Sequence, residues 1–289
     1  ISGPQTAIVV GASSSDEITT DKYGRIQVQF PWDRKKKTSC WIRVAQSIAG
    51  KQFGTIYLPR VGHEVVVSFL EGDPDRPLVV GSVYNADNMP PYTLPDNKTQ
   101  SGYKTRSTVN GAASNFNELR FEDKKGSEEV YLQAEKDFNC LVKHDQDLKI
   151  GNNQTIEVTN DRTEKVKQGN ESVTIQQGNR SVVVNTGNDT HQIGQGNRSV
   201  TISMGNDSLE IKMGNQTTKV SLGSVSTEAM QSIELKVGEN SIKIDQMGVT
   251  IQGMMVSIEG QTQTQVKGLM TQIGGDAMLQ LQGGITMIG

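Results

Sequence analysis

The sequence contains few side chains whose types and spacing could bind a metal ion or form a disulfide. Its histidines are His63, His144 and His191, and its cysteines are Cys40 and Cys140. None of them has a second ligand at the short spacing that zinc sites use, and two distant cysteines do not make a disulfide framework. We therefore predict no metal site, no other cofactor, and two buried, reduced thiols.

A repeat of nine residues has the same period as a known calcium-binding repeat. A Gly-Asn pair recurs every nine residues from Gly169 to Gly214. The calcium-binding repeat requires Gly-Gly-x-Gly-x-Asp, so that backbone carbonyls and a carboxylate meet the ion. Counted from the glycine, the third residues of the units are Glu171, Arg180, Asp189, Arg198, Asp207 and Gln216. Alternating charges cannot build a repeated cation site, so we predict turns with exposed charges.

The remaining polar residues do not form a recognisable catalytic arrangement. No Gly-x-Ser-x-Gly motif is present, and few histidines are available to activate a nucleophile. The carboxylates of Glu71 and Asp73, and of Glu122 and Asp123, are close neighbours in predicted loops and turns. A glycosidase needs two acids on opposite sides of a cleft. We therefore predict that this chain is not an enzyme.

Charge and aromatic content also argue against a nucleic-acid partner. The formal net charge is −3, and the basic run Arg34-Lys35-Lys36-Lys37 is short. Every aromatic residue lies at or before Phe138, so the repeat region has no side chains on which bases could stack. We interpret the basic run as an exposed loop.

The repeat predicts a coil of short strands. Behind each Gly-Asn pair, two inward-type residues alternate with polar or small ones, which is the period of a strand, and glycine permits a sharp turn between strands. The inward-type residues form a narrow apolar strip along the repeat. Because no aromatic residue follows Phe138, this strip does not supply enough apolar volume for a wide core. We therefore predict that several chains share one narrow axis. The predicted axial residues are Val173, Ile175, Val182, Val184, His191, Ile193, Val200, Ile202, Leu209 and Ile211.

His191 is the one titratable residue at these inward positions. Threefold symmetry would bring three copies of it together, and three buried positive charges would repel one another. Two interpretations stay open at this point: a neutral polar layer in the core, or a ring that encloses an ion.

The spacing of landmark apolar residues changes along the chain. Ile150, Val158 and Val166 are eight residues apart, and the units from Ile175 to Val220 are nine apart. Later landmarks, Val237, Ile244, Ile251 and Ile258, are seven apart. This pattern predicts a coil that tightens toward the C-terminus.

The chain is predicted to be all-β and to have three parts. Residues 1–88 contain β-rich runs separated by turn residues, which is typical of a small barrel of the OB type. Residues 89–140 form a connector or neck with two further strands, and residues 141–289 form the repeat region. The predicted strands are Thr6–Val10, Arg25–Phe30, Cys40–Val44, Gly54–Leu58, Glu64–Phe69, Leu78–Val83, Asn117–Phe121 and Glu129–Gln133.

Several long segments resemble the VgrG family, the spike proteins of bacterial type VI secretion. The resemblance covers about the first 125 residues. The segments are Tyr23–Arg34, Cys40–Val44, Pro59–Val65, Phe69–Pro77 and Asn115–Asp123. It implies a homotrimer whose OB domains form a collar and whose repeats form an intertwined, triple-stranded β-helical needle. It also implies a structural, membrane-puncturing function without an enzymatic effector on this stretch.

The resemblance further implies partners and an export route. A PAAR-type protein would bind the blunt end of the needle, a tube of Hcp rings would join an N-terminal region missing before Ile1, and effector cargo would be carried. Some phage spikes hold iron at the tip through His-x-His, and that motif is absent near this C-terminus. With no signal peptide or membrane-spanning stretch, the chain is expected to be made in the cytoplasm and exported by the type VI machine.

The C-terminal residues are the expected platform for the tip protein. They are Gly283, Gly284, Ile285, Thr286, Met287, Ile288 and Gly289. The alternative function is a phage-tail or adhesin-type fibre that binds a receptor. Such a fibre should end in a folded head with aromatic residues.

Overall fold

The computed structural model describes residues 1–285 of the chain. The regular structure in this range consists of β-strands and one short 3-10 helix, Leu70–Gly72, so the all-β prediction is confirmed. The chain forms two units, one from residue 1 to residue 165 and the other starting at residue 166. Within residues 1–285, no helix has the length and apolar character that crossing a membrane requires.

The first unit begins with a five-stranded sheet. Its strands are β1 (Gln5–Val10), β2 (Gln27–Gln29), β3 (Arg43–Val44), β4 (Glu64–Phe69) and β5 (Pro77–Val83). Their order is β2-β1-β4-β5-β3, and every pairing is antiparallel except the one between β3 and β5. Ile26 and Ile42, next to the two outer strands, exchange backbone hydrogen bonds of 2.9 and 2.8 Å. This bridge closes the sheet into a small barrel.

Every second side chain along the strands points into the barrel and fills its interior. In β4, Val65, Val67 and Phe69 are buried, while the residues between them are partly exposed. This is the period of two that a strand imposes on its side chains. The buried apolar core consists of Ala7, Val9, Ile26, Val28, Ile42, Val65, Val67, Phe69 and Val79.

The predicted strand Gly54–Leu58 is wrong. The only pairing there is an isolated bridge between Ala49 and Gly54. Gly54 has a φ of 141°, and the backbone carbonyl of Ile48 lies so close that a Cβ at Gly54 would clash with it. The segment is therefore a tight loop closed by a hydrogen bond from Thr55 N–H to the Ile48 carbonyl, at 3.0 Å.

A second, antiparallel sheet follows in the same unit. Its strands β6 (Gln100–Lys104), β7 (Glu118–Glu122) and β8 (Glu129–Gln133) lie in that order. Strands β7 and β8 match the two strands predicted for the neck within one residue. Strand β6 escaped prediction because Gln-Ser-Gly-Tyr-Lys has no alternation of apolar residues.

The second unit contains one antiparallel sheet after a long strand-free segment. Its strands are β9 (Ser232–Val237), β10 (Asn240–Asp245) and β11 (Gly248–Gln252), in the order β11-β10-β9. The predicted tightening of the coil is therefore wrong between residues 232 and 252. The seven-residue spacing of Val237, Ile244 and Ile251 arises from strands joined by two-residue turns, which reverse the chain direction.

Candidate functional site

The repeat glycines have the backbone geometry that the nine-residue pattern predicts. Their φ values lie between 100° and 126°, a region that L side chains rarely adopt. Seven glycines belong to the series: Gly169, Gly178, Gly187, Gly196, Gly205, Gly214 and Gly223. The Gly-Asn pairs end at Gly214, because Ser224 stands where the other units have Asn. The backbone turn therefore depends on the glycine, and the Asn is not required for it.

The segment that contains these turns has almost no hydrogen-bond partners for its backbone within the described chain, apart from Asn117 Oδ1 for Glu135 N–H and Gln246 Nε2 for the Met230 carbonyl. No backbone-to-backbone hydrogen bond joins any of residues 134–231 to another described residue. Every residue from Glu135 to Gln231 is exposed. Nearly all of these residues thus present N–H and C=O groups without a backbone partner. In folded proteins such groups are almost always paired when they are removed from water.

The predicted axial residues fall into two classes by exposure. The apolar ones four residues after the glycine, such as Val173 and Val200, are 63–69% exposed. Those six residues after it, such as Ile175 and Ile202, are 45–50% exposed. Four of the five side chains in the second class lie close to the next glycine: a Cβ built at Gly205, for example, would be 3.8 Å from Ile202 Cγ2. Both classes leave large apolar surface uncovered in a single chain.

His191 is also exposed in the single chain. Its Nε2 atom lies 3.7 Å from Oδ1 of Asp189, so these two side chains lie on the same side of the segment. Within residues 1–285, no three His, Cys, Asp or Glu side chains of one chain come together as a metal site. The axial role of His191 and of its neighbours stays a prediction.

The sheet of strands β9–β11 has a second uncovered apolar face, which the sequence analysis missed. Ile244 is paired with Ile233 on one side and Val249 on the other, and Ile242 is paired in the same way with Leu235 and Ile251. Ile242 and Ile244 are 43% and 47% exposed although they lie on the central strand. The signal was available as alternating apolar residues on both sides of the turn Gly238-Glu239, in which Gly238 has a φ of 57°.

The predicted platform for a tip protein is described only in part. Gly283, Gly284 and Ile285 are exposed, and Ile285 retains 86% of its surface. Thr286, Met287, Ile288 and Gly289 lie outside the described residues.

The barrel unit carries an open groove beside His63. The groove has a volume of about 950 Å³, and Tyr57, Tyr84 and Met89 contribute exposed apolar surface to it. His63 Nδ1 accepts a hydrogen bond from the backbone N–H of Arg60 at 3.3 Å. Burial lowers the pKa of His63, and the charge of Arg60 lowers it further. The ring therefore stays neutral and holds the loop from residue 60 to 63, which is a structural role.

The two cysteines and the basic run are all at the surface. Cys40 and Cys140 are free and exposed, so the prediction of buried thiols is wrong. Residues 34–37 are exposed, as predicted. They turn around Asp33, whose carboxylate accepts backbone hydrogen bonds from Lys35 and Lys37, both at 3.0 Å.

A buried polar cluster in the neck was not singled out from the sequence. Glu118 is 4% exposed, and its Oε1 lies 3.5 Å from Nη1 of Arg120. Arg120 also donates to Glu129 at 2.9 Å and lies over the ring of Tyr131. Burial raises the pKa of Tyr92, and the neighbouring Glu118 carboxylate raises it further. The cluster joins β7 to β8 and to the loop before β6.

Family comparisons agree with this arrangement. The family described as "Type VI secretion system/phage-baseplate injector OB domain" matches residues 5–84, which contain the barrel. The family described as "Bacteriophage T4 gp5 C-terminal trimerisation domain" matches residues 101–245. That match covers just over half of the chain, including the neck sheet and the glycine repeat.

Curated relatives carry consistent names. Type VI secretion system spike protein VgrG1a of Pseudomonas aeruginosa is 54% identical over 155 residues, which are 52% of this chain and 24% of the relative. VgrG1b of the same organism is 51% identical over 170 residues, 57% of this chain and 22% of the relative. Actin cross-linking toxin VgrG1 of Vibrio cholerae is 48% identical over 162 residues, 55% of this chain and 14% of the relative.

The chain thus corresponds to a quarter or less of the length of these relatives. Within that part, the order of a baseplate-type OB domain and a gp5-type trimerisation domain is preserved, at about half identity to named spike proteins. The chain therefore belongs to the VgrG family of type VI secretion spike proteins.

Proposed function

We propose that this chain is the collar and needle of a homotrimeric spike that punctures a target envelope when a type VI machine contracts. The observation that carries the proposal is the segment of residues 134–231. It has no backbone-to-backbone hydrogen bonds with other described residues, and it exposes two apolar side chains in almost every unit of nine residues.

Such a segment cannot be stable as a monomer. Ordering each residue costs about 1–2 kcal/mol of conformational entropy, and the single chain offers neither a backbone ladder nor a core in return. If three copies interleave, each strand gains a neighbour from another chain above and below, and the edges disappear. The trimerisation family that matches residues 101–245 supports the number three.

The apolar strip and the apolar face of β9–β11 would be covered in the same way. Three strips that meet at an axis bury the axial residues from Val173 to Ile211 in a narrow core. Strands shared between chains cannot separate without unfolding, so the assembly resists bending and heat. Its action is mechanical, because stiffness transmits the force of a contracting sheath to the tip.

The proposal includes partners of the spike. A PAAR-type protein would bind residues 283–289, and a tube of Hcp rings would join a region that precedes this segment in the whole protein. Effector cargo would travel with the spike into the medium or a target cell.

The first experiment measures the mass in solution. Light scattering should give the mass of three chains, and the trimer should persist in detergent at room temperature. A stable, folded monomer would overturn the proposed architecture.

A second experiment tests membership of the machine. In the source bacterium, deletion of residues 141–289 from the gene should abolish release of Hcp into the medium, and the intact gene should restore it. Wild-type release of Hcp after deletion of residues 141–289 would contradict the proposed function. It would not contradict a trimer observed by light scattering.

A further inference from the structure

Charges alternate in sign along one column of the repeat. We call the residues two places after each repeat glycine the third-position column: Glu171, Arg180, Asp189, Arg198 and Asp207. All five are exposed, and in the described residues none pairs with a charged group of opposite sign that is distant in the chain. Within residues 1–285, the one contact of a column side chain with a basic group is that of Asp189 Oδ1 with His191 Nε2, at 3.7 Å and two residues away. In a single chain, therefore, the alternation of charge along the column produces no contact between its members.

The proposed trimer places these residues next to one another, so this inference rests on the proposed function. Each unit carries its chain from one face of the needle to the next. By threefold symmetry, the strand directly above unit n on a given face is unit n+1 of another chain. Neighbouring strands lie about 4.8 Å apart, so residues at the same position of consecutive units become cross-strand neighbours.

We propose that the third-position column is an interchain ion ladder that sets the register of the three chains. On each face, Glu171 of one chain lies beside Arg180 of the next, Arg180 beside Asp189 of the third, and so on to Asp207. Every contact joins opposite charges. The partner that this surface fits is a second copy of the same chain.

The alternation matters most for the wrong registers. A slip of one unit places Glu171 beside Asp189 and Arg180 beside Arg198, so every contact in the column joins like charges, which destabilise neighbouring strands. The backbone hydrogen bonds and the apolar strip are nearly the same in both registers, because the units repeat. Within the repeat, the charges of the third-position column are the feature that favours one register over the other.

A second column obeys the same rule. Glu210 and Lys219 occupy the same position in consecutive units, three places after the third position, and they are also opposite in sign. From Gly169 to Leu222, no two consecutive units carry like charges at the same position. The contact between Asp189 and His191 shows that this member of the ladder lies on the same side of the segment as one predicted axial residue. Water screens the ladder less there than it would at an open surface.

Cysteine cross-linking tests the register directly. Cys40 and Cys140 are exposed, so both are first replaced by Ser. The pair Glu171→Cys with Arg180→Cys should then form disulfides between chains on oxidation, giving a covalent trimer on a non-reducing gel, because neighbouring strands meet the Cα distance that a disulfide requires. The pair Glu171→Cys with Asp189→Cys, two strand spacings apart, should not cross-link.

A charge series tests what the ladder does. Arg180→Glu creates like charges on both sides of residue 180 on every face, and its trimer should dissociate in detergent about tenfold faster or more. Reversal of all five charges keeps the alternation and should return the rate to within about twofold of the wild type. Gln192→Glu serves as the control. It adds one negative charge to the repeat, but the residues at the same position of the neighbouring units, Val183 and Thr201, are uncharged.

The outcomes separate the two proposals. Cross-linking of residues 171 and 180, together with rescue by full reversal, supports the ladder. The ladder is overturned if residue 171 cross-links to residue 189 instead, or if Arg180→Glu and the full reversal dissociate at the same rate. Neither result contradicts the proposed spike. A wild-type monomer overturns both.

Discussion

Ile202 lies against Gly205, three residues further along the chain. A Cβ built at Gly205 would be 3.8 Å from Ile202 Cγ2, which is ordinary van der Waals contact. The constraint on this glycine is therefore its backbone, with a φ of 125°, and not a lack of space. The same relationship links Val184 with Gly187, Ile193 with Gly196, Ile211 with Gly214 and Val220 with Gly223.

Gly205→Ala should destabilise the trimer by about 1–3 kcal/mol per chain, because an L residue is strained at this φ. Gly194→Ala is the matched control, since that glycine has open space around its Cβ position and no φ in the left-handed region. Thermal dissociation followed by light scattering compares the two variants. Equal midpoints for both would show that the repeat turn does not need glycine.

Ile202→Asp should prevent assembly. An axial Asp would bury three carboxylates without partners, and an uncompensated buried charge costs about 3–5 kcal/mol. Ser203→Asp adds the same side chain one residue later, on the opposite side of the strand, and should assemble normally. Mass in solution decides between the outcomes, and a wild-type trimer of the Ile202 variant would remove this residue from the axis.

The parts of the fold that could be predicted are those whose signal is local. The run of three β-branched valines, Val65–Val67, indicates strand β4, and its predicted bounds, Glu64–Phe69, agree with the structure. The barrel was predicted, but not that Ile26 and Ile42 close it, because a single bridge between distant residues leaves no pattern in the sequence. Strand β6 was missed for the same reason, since its pairing with β7 alone defines it.

In the repeat region, prediction from the sequence failed for a different reason. Spacings of seven residues fit both a coil and a pair of hairpins, so Ile244 and Ile251 were assigned to the wrong architecture between residues 232 and 252. The glycine series could be predicted because a sharp turn restricts the residue type. Its extension to Gly223 was hidden by the change from Asn to Ser224. The ladder was visible as an alternation of charge, but its meaning depends on which strands are neighbours.

Val79→Ala should weaken the barrel by about 2 kcal/mol, since it removes fully buried methyl groups and leaves a cavity. Val80→Ala, on the opposite face of β5, is the control, because Val80 is 47% exposed. The two tryptophans, Trp32 and Trp41, both lie in this part of the chain, so their fluorescence during denaturation reports on the barrel. Equal losses from both variants would contradict the assignment of Val79 to the core.

Asp16 should make the barrel sensitive to acid. Ser13 Oγ donates to Asp16 Oδ1 at 2.8 Å, and Ser13 N–H donates to Oδ2 at 3.0 Å. These bonds, the hydroxyl first, lower the pKa of Asp16 in the folded state. The stability that they contribute is complete above the unfolded pKa of about 3.9. It is lost as the pH falls through the lower folded value.

Asp16→Asn should therefore be less stable than the wild type at neutral pH and should lose less stability below about pH 4, so that the two curves converge in acid. Asp96→Asn, at an exposed carboxylate that accepts no hydrogen bond from the described residues, should follow the wild-type curve. Denaturation monitored by tryptophan fluorescence at a series of pH values provides the measurement. A constant difference between wild type and Asp16→Asn across this range would show that the carboxylate of Asp16 gains nothing from Ser13 in its charged form.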